Sequence, residues 1–251
     1  YVGGLTGVNN GNITNVSVSG HVKGEWDTGG LTGRNNGMIS DSGFAGIVTG
    51  TDEIEYGDWT GGLAGYNTGT ITDCQVDATV ESEGKNIGGL VGESLETGSI
   101  IRSCSAGTVS GSDYTGGLTG TNSGDISQCY SMSSVEGNQY VGGLAGSNSG
   151  PISGSFAAGT VIGTDKTGGL VGNGDGETVS DSYWDTETSQ QTSSDGGAGK
   201  TTAQMKQQET FVGWDFETVW NIDETGNYGY PFLRWQGQSE QPSVPPVLSE
   251  T

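Results

Sequence analysis

The stretch Gly142-Gly-Leu-Ala-Gly-Ser-Asn-Ser-Gly-Pro-Ile152 decides how this chain folds. Its opening word, Gly-Gly-Leu, starts at Gly3, Gly29, Gly61, Gly88, Gly116, Gly142 and Gly168, at spacings of 26, 32, 27, 28, 26 and 26 residues. Seven copies at a period near 26 mark a repeat architecture. Further columns travel with the word. Asn stands at Asn9, Asn35, Asn67, Asn122 and Asn148, and an aliphatic column runs Ile13, Ile39, Ile71, Ile101, Ile126, Ile152 and Val179. Three residues on comes a small-residue column: Val16, Ser42, Cys74, Cys104, Cys129, Ser155 and Ser182. A valine column closes each unit with Val22, Val48, Val80, Val109, Val135 and Val161, Val109 arriving one residue early.

Each unit therefore holds three short β-rich segments between Gly/Asn turns, none long enough or suitably periodic for a helix. Such a unit cannot bury its own apolar side, but units stacked in register cover one another. The expected fold is all-β, a parallel β-helix (β-solenoid) of about seven coils; at the strand spacing this makes a rod roughly 34 Å long. Gly and Asn tolerate φ > 0 at the corners. The stacked asparagines are expected to form a hydrogen-bonded ladder.

The repeat reverses what composition alone implies. Of 251 residues 49 are glycine, Leu, Ile, Val and Phe make up about 18%, and eight Lys and Arg face 30 Asp and Glu, for a net charge of −22. Those values usually flag disorder; in a thin-cored rod they reflect geometry. No apolar run approaches the roughly 20 residues that span a bilayer, and the glycines lack the triplet period of collagen. The missing basic patch excludes nucleic acid and an anionic membrane surface. The acidity fits either a high-salt environment or a surface that gathers divalent cations.

Gly168-Gly-Leu-Val-Gly172 followed by Asn-x-Gly, x-Ile and Gly-x-Val resembles the GLUG-motif repeat over about residues 1–186. The tail also resembles the end of such arrays: Ser182-Tyr-Trp-Asp, Gly196 to Met205, Gly213-Trp-Asp-Phe and Gly229-Tyr-Pro-Phe-Leu-Arg-Trp. The resemblance implies a β-helix and an extracellular, adhesin-like role, with no assigned catalytic residues. Residues 187–235 hold Trp214, Trp220 and Trp235 and, with Trp184, are expected to cap the last coil, with a short helix over Thr202 to Glu209. Residues 236–251 hold three of the five prolines and read as a linker. Tyr1 stands two residues before the first word, without a signal peptide, so the first coil is expected to meet a preceding domain or another subunit.

Several residues have chemistry worth weighing. Tyr1, Trp59, Tyr114 and Tyr140 precede the Gly-Gly pair, with Trp26 one residue further out. They either seal a corner of the rod or form a stacking surface for sugar rings. In the insertion Thr51 to Asp58, the carboxylates of Asp52, Glu53, Glu55 and Asp58 are candidate Ca²⁺ ligands, or a solvated acidic loop. Asn12-Ile-Thr and Asn15-Val-Ser are glycosylation sequons. Ser194 to Thr201 has the look of a phosphate-binding loop, but Ser194 holds its first glycine position and no strand precedes it. The three cysteines are expected to stack inward as small apolar thiols. They offer no fourth zinc ligand, and His21 lies in another coil. With His21 the sole histidine and no acid placed beside it, a Ser-His-Asp centre has little basis, and no carboxylate column recurs for glycoside hydrolysis. The expected function is a non-enzymatic extracellular stalk or adhesive segment of a larger surface protein. It needs no cofactor, and its partners are other surface proteins, glycans or copies of itself. The alternatives are a subunit stacking through its first coil into a layer or filament, and a polysaccharide-binding or polysaccharide-processing β-helix.

Overall fold

A computed structural model describes residues 1–51 and 59–237. Seven coils stack in parallel, and each contributes to four ribbons rather than three. The extra strand comes from the Gly-Gly-Leu word, where the chain bends. The second coil shows the pattern: Thr28–Gly29, Thr32–Asn35, Met38–Ser40 and Gly43–Gly50. Leu31, Leu63, Leu90, Leu118, Leu144 and Leu170 form a fully buried column; the aliphatic and valine columns beside it are buried too, except Val179 in the last coil, which is partly buried. At the first coil Leu5 is half exposed.

Two registers differ from the sequence reading. Ile71 pairs with Ile100, not Ile101, because the fourth coil carries two extra residues in the turn between Ser94 and Ile100. Counting from Ile100, Ser103 joins the small-residue column and Val109 falls in step with Val80. Cys104 therefore pairs with Gln75 and points to the opposite face from Cys74 and Cys129. All three thiols are free and buried, which pushes Cys74 and Cys104 up to about 12.

The paired glycines are needed for room rather than for φ. A Cβ on Gly30 would lie 2.2 Å from the Gly62 carbonyl oxygen and 2.3 Å from the Phe44 ring. In the last coil, a Cβ on Gly169 would lie 2.0 Å from Trp184. One sharp corner instead puts Asn15, Asp41, Asp73, Arg102, Gln128 and Asp181 at φ between 42° and 56°. Glycine takes that column once, at Gly154.

The tail closes the rod in two parts. Residues 193–200 make a partial turn over the last coil: Gly169 N–H donates to Ser193 O, and Ser194 Oγ accepts from the amides of Leu170 and Val171. Ala198–Lys200 then adds a strand beside Tyr183–Asp185, so the phosphate-loop look-alike is a closing turn. A short helix, Thr202–Met205, follows with a capping box from Thr201 and Gln204. The chain then runs back along the flank of the rod. Phe211, Trp220, Tyr230 and Leu233 bury against Cys104, Tyr130, Phe156 and Tyr183, with Trp214 and Trp235 at the margins. Trp184 alone of the four tryptophans points into the rod's core. At the far end of this strap, Gln236 accepts from Tyr130 Oη at 2.9 Å and donates to Gln75 Oε1 at 2.7 Å.

Candidate ligand surface

The corner before each Gly-Gly word stacks Tyr1, Asp27, Trp59, Asn86, Tyr114, Tyr140 and Lys166, since the residues after them pair coil to coil. Seven residues on, strand alternation turns Val8, Arg34, Tyr66, Glu93, Thr121, Ser147 and Asn173 outward, while the neighbouring Asn or Ser, replaced by Gly174 in the last coil, points in. Between the two columns lie glycines whose space the backbone fills; a Cβ on Gly33 would sit 2.6 Å from Asp27 O. Nothing bulky separates position i from i+7, so the columns meet as a seam.

Contacts run both across and along this seam. Across it, buried Asp27 pairs with Arg34, Trp59 meets Tyr66 with centroids 5.1 Å apart, and Lys166 Nζ donates to Asn173 Oδ1 at 2.9 Å. Along it, Arg34 lies between Tyr1 (4.1 Å) and Tyr66 (4.7 Å). Tyr114 and Tyr140 stack at 4.7 Å and 11°, with Lys166 5.2 Å beyond Tyr140. Burial raises Asp27 above the ordinary carboxylate range despite the opposing pull of Arg34. Glu93, also raised by burial and further by Asp27, stands beside Tyr66, which its charge helps to raise.

The five aromatic candidates thus separate. Tyr114, Tyr140 and Trp59 spend ring surface on neighbours in the seam, whereas Tyr1 and Trp26 remain about half exposed. Reading the sequence missed Asp27, Arg34, Tyr66 and Glu93. The signal was present, because each of the last three immediately precedes an Asn or Ser of the inward ladder. Asn12 and Asn15 are both exposed. Asp52, Glu53, Glu55 and Asp58 lie outside the described residues; among the described residues no group of three His, Cys, Asp or Glu is placed to hold a metal. His21 Nε2 lies 3.0 Å from Thr49 Oγ1, whose own proton goes to Glu81. The imidazole therefore meets a lone pair and does not activate that hydroxyl.

Residues 60–81, the third coil from its Thr-Gly strand into its longest one, match the family model described as the GLUG motif. The chain carries a GLUG motif. That GLUG coil holds Tyr66, which meets Trp59 in the seam, and Asn67 of the ladder, so both pass through it. Among solved structures, a candidate immunoglobulin A1 protease from Bacteroides ovatus is similar at a TM-score of 0.60 and 19% identity, over 89% of this chain and 75% of that one. At that identity the likeness establishes the fold. No curated protein matches the sequence. Among the described residues no helix is long and apolar enough to cross a membrane.

Proposed function

We propose that this β-solenoid is a non-enzymatic, extracellular, adhesive segment of a larger surface protein, with the rod as scaffold and its corners as the contacting surface. The observation that carries the reading is the in-register stacking of seven coils, which repeats each outward position once per coil along one edge. Polar side chains along the rod are largely engaged coil to coil, as in the Asn9–Asn35–Asn67 ladder, which is the chemistry of a scaffold. On this reading the chain performs no catalysis and needs no cofactor, and the fold it shares with the Bacteroides ovatus protein transfers no activity.

Growth of copies head to tail has less support. Residues 193–195 already occupy the hydrogen-bonding edge that a following coil would need at Gly169 to Val171. The adhesive reading is tested by coating beads with the chain and measuring their retention on cell, mucin and matrix-protein surfaces. An unfolded Gly30→Val, Gly62→Val double variant serves as control. Specific retention of the folded chain is expected; equal retention of folded and unfolded chains on every surface would overturn it.

A further inference from the structure

We propose that the concavity at the closed end of the rod, beyond the strand Val179–Ser180, receives a short extended segment of a basic polypeptide, which adds there as a further strand. Each lower coil gives its edge to the coil that follows. Beyond the last coil, the closing turn covers the edge at Gly169 to Val171 and again at Tyr183–Asp185, but it skips the ribbon between them. The last coil spends eleven residues between Val171 and Tyr183, whereas the closing turn spends two, Gly196 and Gly197, between Asp195 and Ala198. Those glycines cut across the top of the core: a Cβ on Gly196 would lie 2.6 Å from Val179 Cγ2, and one on Gly197 2.6 Å from Leu170 Cδ2. They seal the apolar ends and leave an open concavity of about 680 Å³ where the next strand of that ribbon would run.

The backbone beside this gap keeps the groups that lower coils use for stacking. Gln128 N–H donates to Ser153 O and Gly154 N–H to Ser180 O; Asp181 N–H is next in that column and has no acceptor among the described residues. Cys129 N–H donates to Ser155 Oγ and Ser155 N–H to Ser182 Oγ; Ser182 N–H, next in turn, likewise has none. Ser180 O is spent on Gly154, so alternation along the strand turns Val179 O to the open side. Unpaired edge groups of this kind are a template for an incoming strand. The seat itself is fixed: Val179 N–H donates to Gly176 O, and Asp195 Oδ2 accepts from Gly174 N–H at 3.2 Å.

Charge selects the occupant. Asp181 and Asp195 line the concavity and are exposed, Asp175 and Glu177 flank Gly176 in its wall, and none of the four is in an ion pair among the described residues. Lys200, two residues past Ala198, lies over the Tyr183 ring instead. A segment with Lys or Arg beside its strand supplies the missing cations. A second copy of this rod is the wrong partner: at −22 it repels its own kind, and residues 193–195 hold the adjoining edge that its first coil would need. The site is lined entirely from within residues 174–198, and the described strap ends three coils away, beside Gln75 and Cys104. It does not rest on the adhesive reading, because a strand docks here whether or not the corners hold a surface.

The probe is a peptide carrying the sequence of residues 151–155, the strand beneath Val179–Ser180, between flanking lysines. It is titrated into the whole protein by calorimetry and amide-detected NMR. Two comparison peptides are flanked by glutamates or carry proline at the position of Ser153, which removes the N–H that would reach Val179 O. The lysine-flanked peptide is expected to bind, to shift the Asp181 and Ser182 amides and to slow their exchange. The amides of Arg102 and Gln128, already paired in lower coils, should stay unchanged. Asp181→Asn combined with Asp195→Asn is expected to weaken binding about fivefold, and circular dichroism shows whether that variant keeps the fold. No binding of the lysine-flanked peptide, equal binding of either comparison peptide, full-strength binding to the folded double variant, or binding that leaves Asp181 and Ser182 untouched would overturn the proposal. Retention of coated beads without peptide binding sinks this inference and keeps adhesion. Peptide binding at Asp181 and Ser182 without retention on any surface does the reverse.

Discussion

Glu93 shows how much a single seam position decides. Its carboxylate is half-buried between Tyr66 and Thr121, and burial raises its pKa in the folded state. A carboxylic acid with a raised folded pKa binds a proton more readily folded than unfolded. Its charge therefore costs stability at neutral pH, and that cost disappears as pH falls through the folded pKa. Glu93→Gln is expected to raise the melting temperature at pH 7 and to flatten its rise as pH falls from neutral towards the ordinary carboxylate range, as thermal denaturation across pH would show. An unchanged pH profile would show that Glu93 titrates normally. One position along, Ser94 breaks the asparagine ladder: Asn67 Nδ2 still reaches Ser94 Oγ at 3.3 Å, but the buried Asn122 Oδ1 has no donor. Ser94→Asn supplies the missing amide and is expected to stabilise by about 1 kcal/mol. A loss instead would mean that the two extra residues of that turn fill the space.

At the scale of elements, the strap over residues 205–236 holds to the rod through Trp220, which is buried beside Tyr130 and Phe156. Trp220→Ala is expected to cost about 3–5 kcal/mol and to loosen the strap before the coils. Cys104 lies beneath the strap while Cys74 and Cys129 face the core, so the variant should expose one thiol selectively. Peptide mapping after maleimide labelling under native conditions checks this; equal labelling of all three would mean that the rod opens as a unit. The coils were legible in the sequence because stacking repeats the same residue types at each level. The strap was not, because a single copy leaves no period to read. The misplaced Cys104 belongs between these cases. Ile100 and Ile101 are equally apolar, so the aliphatic column could not choose between them, but the early Val109 already marked a slip that Ile100 and Ser103 remove. At the corner, the aromatic candidates were visible as residue types. Their sorting into stacked and free rings depends on partners in other coils, such as Arg34 against Tyr1, that lie dozens of residues away or across the seam.

For the whole molecule the decisive quantity is charge per unit of exposed surface. A rod with a thin core exposes more surface for its length than a sphere, and this one spreads 30 carboxylates against eight basic groups over it. Three ion pairs, Arg34–Asp27, Lys85–Asp113 and Arg102–Asp73, engage three of those eight cations among the described residues. The rest of the acidic charge is uncompensated at close range, so it repels itself along the stack. Salt shortens the reach of that repulsion from about 30 Å at 0.01 M to about 3 Å at 1 M. The acids are scattered over the coils rather than confined to one end, so screening acts along much of the rod. The melting temperature is therefore expected to climb steadily with sodium chloride between those limits. Potassium chloride should do the same, since the effect depends on ionic strength and not on the ion. Calcium at matched ionic strength distinguishes a second origin for the acidity. A further rise beyond that from sodium would mean that carboxylates share divalent ions, whereas equal curves assign the acidity to a salt-screened surface. A melting temperature indifferent to every salt would show that the ladders and the apolar columns outweigh surface repulsion altogether.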